Sequence, residues 1–386
     1  MPGDGRVGGG RRHGQRSHAT DGVNPPSYRT HRSSSLFPRH APNDSLARMV
    51  RPGARNLITD VAGLRVGNAQ DARAVTGTTV VTADRPFAAV IDIRGGAPGT
   101  RETDALDPMG LAGAADAIVL SGGSVYGLDA ASGVVAALRL AGRGFRLAPE
   151  APPAPIVPAA ILFDLANGGD KDWGSEAPYR MLGAAALDDV REVFPLGNVG
   201  AGLGARAGAY KGGLGSASSL TDDGFTVGAL VAVNALGSPL MPGSDVFWSW
   251  PFEQAGEFGG RRPSGATEGD LDLPADMKGP LRAGTNTTIA VVAVDADVSR
   301  VELKRIAVMA SDGVARALRP AHTPFDGDLV FALSIAGRPV PEPRSRHLMR
   351  LGSIAADTLA RAIARGVYEA ASLGPMRSYR DLFQGE

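Results

Sequence analysis

The chain of 386 residues contains no cysteine. This absence excludes disulfides, thiolate metal sites and a cysteine nucleophile, and it fits a cytoplasmic protein. Histidine is scarce as well, because four of the six histidines lie within the first 40 residues and only His322 and His347 remain for the body of the chain. A Ser-His-Asp triad needs a positioned imidazole and a metal hydrolase usually needs several. We therefore expect basic catalysis from an amine or a carboxylate.

A net charge and long apolar runs are also missing. Forty basic and forty acidic residues give a formal net charge of zero, so nothing indicates nucleic acid or a membrane surface as a partner. No apolar run reaches the roughly 20 residues of a membrane-spanning helix. Hydrophobic residues nevertheless make up 43% of the chain, which is enough for one large core or two domains.

The N-terminal segment differs from the rest of the chain. Residues 1–55 are rich in Gly, Arg, Ser and Pro with almost no apolar periodicity, which is typical of a disordered basic tail. Met49 is an alternative start of the protein. From Asn56 the pattern changes to short apolar runs separated by glycine, and with no convincing internal boundary we predict a single catalytic domain over 56–386.

The pattern in this domain predicts alternating strands and helices. Predicted strands are Thr78–Val81, Phe87–Ile93, Ala117–Leu120, Thr226–Ala235, Ile289–Ala296 and Leu329–Ile335, and predicted helices are Val125–Leu140, Val301–Leu318 capped by Ser299, and Met349–Ala370. A long polar loop is expected over Glu253–Ala283. Strands followed by helix pairs in both halves predict an α/β (α+β) fold in which sheets lie between helix layers.

Two glycine-rich motifs carry weaker signals. Gly200–Ala205 satisfies the G-x-G-x-x-A dinucleotide pattern, but a poor strand precedes it and a poor helix follows it. We interpret it as a turn for close packing or as an oxyanion loop, and no cofactor is expected. Ser121–Gly127 lies where a nucleophile elbow would lie but misses its register, since position 126 is Tyr. We expect a substrate-contacting turn that includes Ser124 and the phenolic donor of Tyr126.

The most informative junction is Asn286-Thr287, where the polar stretch ends and a buried strand begins. A hydroxyl at such a junction can attack the carbonyl before it and break the chain. The freed α-amine, with a reference pKa of about 7.7–8.0, then serves as a general base for the new N-terminal nucleophile. The local alternative is an ordinary turn followed by a β-branched strand start.

Four polar residues are candidate partners of Thr287, and each has a simpler alternative. Asp326 and Asp328 either cap a turn, bind a cation or orient an amine. Lys211, among glycines, is either a surface lysine or a catalytic cation. Asn234, in an apolar strand, makes either a structural hydrogen bond or an oxyanion contact.

Together these segments resemble the self-cleaving L-aminopeptidase/D-esterase and β-peptidyl aminopeptidase family, which includes the nylon-oligomer (6-aminohexanoate-oligomer) endohydrolases. The markers are Leu57–Val66, Arg94–Asp104, Ser121–Ala131, Val199–Ser218, Val231–Gly237, Asn286-Thr287 and Phe325–Leu333. The resemblance implies an αββα sandwich cut between Asn286 and Thr287 into a large chain and a small chain (287–386) that stay together, in a homo-oligomer of such heterodimers.

The resemblance also implies the site. Thr287 is the nucleophile, and Lys211, Asn234, Asp326 and Asp328 match the positions that Thr-type members use around it. With this arrangement, Tyr126 and the loop from Arg94 to Arg101 are candidates for the wall of a substrate pocket. The expected substrate is a short peptide or a small peptide-like amide. Three functions stay open: an aminopeptidase, an endo-amidase on ω-amino-acid oligomers, and a non-catalytic binding protein that never cleaves itself.

Overall fold

The computed structural model describes residues 50–264, 272–279, 281–282 and 284–385. Its strands are β1 (Val50–Arg51), β2 (Leu64–Asp71), β3 (Thr76–Ile93), β4 (Thr100–Arg101), β5 (Ala115–Ser121), β6 (Ala159–Ile161), β7 (Arg206–Ala207), β8 (Tyr210–Lys211), β9 (Gly213–Thr221), β10 (Thr226–Asn234), β11 (Thr287–Asp297) and β12 (Leu329–Pro339). Its α-helices are α1 (Ala130–Leu140), α2 (Tyr179–Asp188), α3 (Arg300–Ala317), α4 (Arg344–Tyr368) and α5 (Tyr379–Phe383).

The predicted tail falls mostly outside the described residues. Val50–Arg51 are an exception, because they pair with Thr221 and Leu220 on the edge of β9. Backbone hydrogen bonds make this pairing, and apolar patterning along the sequence does not record them. The predicted loop over Glu253–Ala283 also lies partly outside the residues that the structure describes.

The strands form two layers that share β3. The pairing order is β1-β9-β10-β11-β12-β3-β5-β6-β4, and β2 also pairs with β3. The first half of β3, Thr76–Ala83, pairs with β2, whereas Ala88–Ile93 pair with β12. The register of β3 against β5 shifts between Thr82 and Phe87, so one long strand passes from one layer to the other.

Alternation along the strands shows how the layers are filled. On β11, Ile289, Val291 and Ala293 join a core with residues of β5 such as Ile118 and Leu120, which is the core between the two sheet layers. The other face of β11 packs with the buried sides of α3 and α4. The opposite sheet layer packs with α1 and α2. The order is therefore helices, sheet, sheet, helices, and the αββα prediction is confirmed.

Capping and turn geometry determine where helices α3 and α1 begin. Ser299 caps α3, since its side chain accepts a hydrogen bond from the Glu302 N–H, as predicted. The helix predicted from Val125 begins only at Ala130, because Ser124–Asp129 form a 3₁₀ turn in which Ser124 has a φ of 51°. Gly127 in this turn lies so close to the Gly122 carbonyl that a Cβ there would be 1.8 Å from its oxygen.

Candidate active site

Backbone pairing brings the ends of three chain segments together at Thr287. Thr287 is the first residue of β11, and its antiparallel partner is Asn234, the last residue of β10. On the other side Asn286 forms a parallel bridge with Asp326. Thr287 is 3% exposed, and Asn234 and Asp326 are each 1% exposed. Sheet geometry therefore places these three predicted residues in one buried site.

The carbonyl of Asn286 is held in a polarising position. The Gly327 N–H donates to the Asn286 oxygen at 2.8 Å, and the Thr287 hydroxyl lies 2.5 Å from the same oxygen. Gly327 permits this approach because it lacks a side chain. A Cβ at Gly327 would come within 2.8 Å of Thr287 Oγ1.

Asp328 fixes the start of β11 from the other side. Its Oδ1 accepts from the Thr288 N–H at 2.7 Å, and its Oδ2 accepts from the His322 N–H at 3.0 Å and lies 3.1 Å from His322 Nδ1. Burial by itself would lower the pKa of His322, but the hydrogen bond and charge of Asp328 outweigh it and raise that pKa. Asp328 thus links a histidine to the backbone beside Thr287.

The carboxylate of Asp326 accepts hydrogen bonds from the turn in which it lies. Its Oδ2 accepts from the Thr323 N–H at 2.9 Å and from the Thr323 hydroxyl at 2.5 Å. Burial, followed by the neighbouring charge of Asp328, raises the pKa of Asp326. This contact pattern is that of a turn cap, and the bridge to Asn286 places Asp326 beside the Asn286-Thr287 bond.

Lys278 is a site residue that the sequence reasoning missed. Its ammonium donates to Asn234 Oδ1 at 3.0 Å and to the Thr285 carbonyl at 3.1 Å. Burial of the ammonium, and then the charge of Arg206, lower the pKa of Lys278 to about 7. Lys278 lies within the polar stretch expected to be a loop, and no periodicity or motif there distinguishes it from a solvated lysine.

His322 was also missed. In the sequence it is one of two histidines that follow the N-terminal segment, and no partner for it is evident there. Its relation to Asp328 depends on the turn Thr323–Gly327, which folds the chain back onto itself. A histidine six residues before a predicted catalytic aspartate was the only available signal, and it is a weak one.

Lys211 lies in β8, but its ammonium is hydrogen-bonded away from the other predicted site residues. It is fully buried and donates to the carbonyls of Gly202 at 3.0 Å and Gly212 at 2.7 Å. Burial lowers its pKa to about 7. Within the described part of the chain no hydrogen bond joins Lys211 to Thr287, Asn234 or the two aspartates.

The three predicted substrate-binding residues, Tyr126, Ser124 and Arg94, use their side chains or backbones in other contacts. Tyr126 is 50% exposed and lies edge-on to Trp173, with ring centroids 5.7 Å apart. The Ser124 N–H donates to the Leu162 carbonyl. The Arg94 side chain binds Asp92, while its backbone N–H donates to the Asp328 carbonyl at 3.0 Å. The Arg94 loop thus supports the aspartate segment through its backbone.

A cavity of about 250 Å³ lies beside Asn234. Its walls include Lys278, Thr285 and Asp164, and none of Tyr126, Ser124 or Arg94 lines it. The residues that the structure describes contain no cluster of histidine and acidic side chains able to hold a metal ion. None of the helices in the described ranges combines the length and the hydropathy of a membrane-spanning segment.

Comparison with known proteins identifies the family to which this site belongs. The family model described as Peptidase family S58 matches residues 56–379. An uncharacterized aminopeptidase of Mycobacterium tuberculosis is 41% identical over 351 residues, which cover 86% of this chain and 98% of that protein. A 6-aminohexanoate-oligomer endohydrolase of a Kocuria species is 30% identical over 304 residues, covering 73% of this chain and 76% of that protein.

Two solved structures share the fold. A β-aminopeptidase from a Burkholderia species superposes with a TM-score of 0.62 at 22% identity, covering 84% of this chain and 90% of that one. The L-aminopeptidase D-Ala-esterase/amidase of Ochrobactrum anthropi, described as a variant of the Ntn-hydrolase fold, gives a TM-score of 0.56 at 21% identity, with coverages of 84% and 88%. The 56–379 match and the mycobacterial relative show that the chain belongs to peptidase family S58 and is a hydrolase.

Proposed function

We propose that this protein cuts its own chain between Asn286 and Thr287 and that the new N-terminal threonine then hydrolyses amide bonds in short peptides or peptide-like substrates. The observation that carries the proposal is the contact of Thr287 Oγ1 with the Asn286 carbonyl at 2.5 Å, together with the Gly327 N–H on the same oxygen. A buried nucleophile beside a polarised carbonyl is the arrangement needed for an intramolecular acyl shift.

The self-cleavage begins with attack of Thr287 Oγ1 on the carbonyl carbon of Asn286. The Gly327 N–H stabilises the negative charge that develops on the oxygen. Collapse of the tetrahedral intermediate breaks the C–N bond, and the Thr287 nitrogen becomes an amine by taking up the proton that the Thr287 hydroxyl lost in the attack. The resulting ester joins Asn286 to the Thr287 hydroxyl. Water then hydrolyses this ester and leaves a carboxylate on Asn286 and a free hydroxyl on Thr287.

In the mature enzyme the α-amine of Thr287 accepts the hydroxyl proton, directly or through water, as Oγ1 attacks a substrate amide. The amide group of Asn234 and the Gly327 N–H hold the oxyanion. Asp328 keeps the backbone of Thr288 in place through its 2.7 Å contact. Lys211 and Asp326 contribute to the electrostatic potential of the buried site. Water then hydrolyses the acyl-enzyme.

Two substrate classes follow from the relatives. The mycobacterial relative is named an aminopeptidase and the more distant one acts on 6-aminohexanoate oligomers, as its name states. We propose short peptides with a free amino terminus as the first class. The second candidate is an endo-amidase, which the excess of basic side chains around the cavity favours, since such a lining disfavours a substrate ammonium.

A denaturing gel with intact-mass analysis tests the cleavage. Wild type is expected to give pieces of about three-quarters and one-quarter of the 386 residues, the smaller beginning Thr-Thr-Ile-Ala. Thr287→Ala should stay intact and inactive, and Thr287→Ser, which keeps a hydroxyl, should still be cut. A single intact band in fresh and aged wild type, or full activity in Thr287→Ala, would establish a non-catalytic protein instead.

A second measurement separates the two substrate classes. The purified enzyme is given one peptide substrate with a free amino terminus and the same substrate with an acetylated terminus. An aminopeptidase should lose nearly all activity on the blocked form. Equal rates on both forms would reject the first class and support the endo-amidase.

We further propose that the processed heterodimers assemble into a homo-oligomer. Light scattering of the cleaved protein measures the molar mass directly. A mass equal to one chain would reject this assembly.

A further inference from the structure

The lining of the cavity beside Asn234 is unbalanced in charge. Arg206, Lys278 and Arg282 line it, and Asp164 is the acidic residue among its walls. Three basic groups therefore face one carboxyl group in a space of about 250 Å³. A lining of this kind attracts an anion and repels a cation.

Asp164 does not offset this excess. Its Oδ2 accepts from the Thr76 hydroxyl at 2.6 Å, and its Oδ1 accepts from the Gly123 N–H at 2.7 Å. Both oxygens are therefore engaged within the protein. Burial also raises the pKa of Asp164, which favours its neutral form.

Lys278 is the basic group of the cavity that contacts Asn234. Burial lowers its pKa to about 7, and a carboxylate bound beside it favours the charged form. Both of its hydrogen-bond partners, Asn234 Oδ1 and the Thr285 carbonyl, are neutral oxygens. An ammonium has three donors, so one is left for a ligand. Asn234 is the strand partner of Thr287, which ties the position of the cation to that of the nucleophile.

We propose that this cavity binds a carboxylate of the substrate, with Lys278 and Arg206 as the cations that recognise it. The proposal rests on the proposed amide hydrolysis and specifies its substrate class, namely amides that carry an acidic group close to the scissile bond. Charge-assisted hydrogen bonds from two cations to one carboxylate are strong and directional. The exposed side chain of Arg282 adds a third positive charge.

The carboxylate has two possible sources in a substrate. It belongs either to an acidic side chain of the acyl residue or to the free carboxyl end of the leaving portion. Self-cleavage produces a further carboxylate on Asn286, one residue from the Thr285 carbonyl that Lys278 contacts. Binding is therefore measured first on the uncut Thr287→Ala protein, where that carboxylate does not form.

Calorimetric binding of N-acetylglutamic acid α-methylamide and N-acetylglutamine α-methylamide to Thr287→Ala is the first test, because the α-carboxyl group is blocked in both and only the acid carries a carboxylate, on its side chain. The acid is expected to bind about tenfold or more tightly. Adding Lys278→Gln should bring the two affinities together, and Lys278→Arg should restore part of the difference. Arg305→Gln, at an exposed position of α3, is the matched control and should change neither affinity.

Equal affinities for the acid and the amide, a preference that survives Lys278→Gln, or no detectable binding of the acid at millimolar concentration would each overturn the proposal. In the cleaved wild type, rates on Glu- and Gln-p-nitroanilide and on a dipeptide acid and its amide identify which carboxylate is recognised. Failure of wild type to cut itself would reject the proposed function, while the binding measurement would still decide this one.

Discussion

Gly327 lets the chain approach Thr287 closely because it has no side chain. In Gly327→Ala the new methyl carbon would lie 2.8 Å from Thr287 Oγ1 and 2.8 Å from the Ala97 carbonyl oxygen. Relieving that overlap shifts Thr287 or withdraws the Gly327 N–H from the Asn286 oxygen. Because one oxyanion donor is worth about 2.7–4 kcal/mol, self-cleavage should slow by roughly a hundredfold or more.

The time course of fragment formation on denaturing gels measures this effect. Gly113→Ala is the matched control, since a methyl carbon added there would meet no heavy atom within 4 Å beyond its two neighbours in the chain. Cleavage of Gly327→Ala at the wild-type rate would show that the Gly327 N–H is dispensable.

His322 gives the site a dependence on pH. Because its folded pKa is raised above the usual value of 6.5, the pair with Asp328 stabilises the fold fully below the unfolded pKa. That contribution is lost as the pH rises through the folded pKa. Stability should therefore fall with pH above about 6.5 in wild type, more steeply than in His322→Gln.

Urea denaturation of both proteins in steps from pH 6 to pH 9 tests this dependence. The variant should be less stable at pH 6 and should approach wild type at the upper end. Parallel curves over the whole range would show that His322 and Asp328 do not form a charged pair.

At the scale of elements, Arg361 of α4 holds a loop to the sheet. Its guanidinium binds both oxygens of Glu257, at 2.5 and 2.9 Å, and also donates to Asn56 Oδ1 and to the Ser218 carbonyl. The Arg361 side chain is 1% exposed and that of Glu257 is 7% exposed. Arg361→Met leaves the buried carboxylate of Glu257 without its main partner, which costs about 3–5 kcal/mol.

Chemical denaturation of Arg361→Met measures that loss. Arg305→Met, in which an exposed arginine of α3 is replaced, should stay within about 0.5 kcal/mol of wild type. A loss below about 1 kcal/mol for Arg361→Met would show that the loop is held by other contacts.

Apolar patterning predicted the elements that carry the core, because burial leaves a record in the sequence. Ile289–Ala296 and Leu329–Ile335 were predicted as strands and lie within β11 and β12. Helix α2 and strand β9 were not predicted. β9 is Gly- and Ser-rich, since its residue Gly215 lies so close to α4 that a Cβ would be 1.9 Å from the Ala362 carbonyl oxygen. Close backbone packing thus removes the apolar side chains from which a strand is recognised.

At the scale of the whole molecule, the candidate site depends on contacts between distant segments. The sequence placed Thr287, Asn234, Asp326 and Asp328 through their family resemblance, and the sheet register joins the first three. Lys278 reaches Asn234 from a polar segment 44 residues later in the chain. Such a contact follows from the folding of a loop, for which neither periodicity nor charge pattern gives a signal.

The same sheet indicates that the two pieces should stay together after the proposed cut between Asn286 and Thr287. The small piece would contain β11 and β12, and both are interior strands of the order β10-β11-β12-β3. Eight residues of β10, Val227–Asn234, pair with β11, and six residues of β3, Ala88–Ile93, pair with β12. Separation would expose both sets of backbone groups and the apolar faces beside them, which is strongly unfavourable.

Size-exclusion chromatography of fully cleaved wild type is therefore expected to give one peak that contains both pieces. Its elution volume should match that of the uncut Thr287→Ala protein, because the fold around the cut stays intact. In strong denaturant the pieces should elute separately. Two separate peaks in native buffer would contradict the sheet order, since a small piece that leaves freely cannot supply the two central strands.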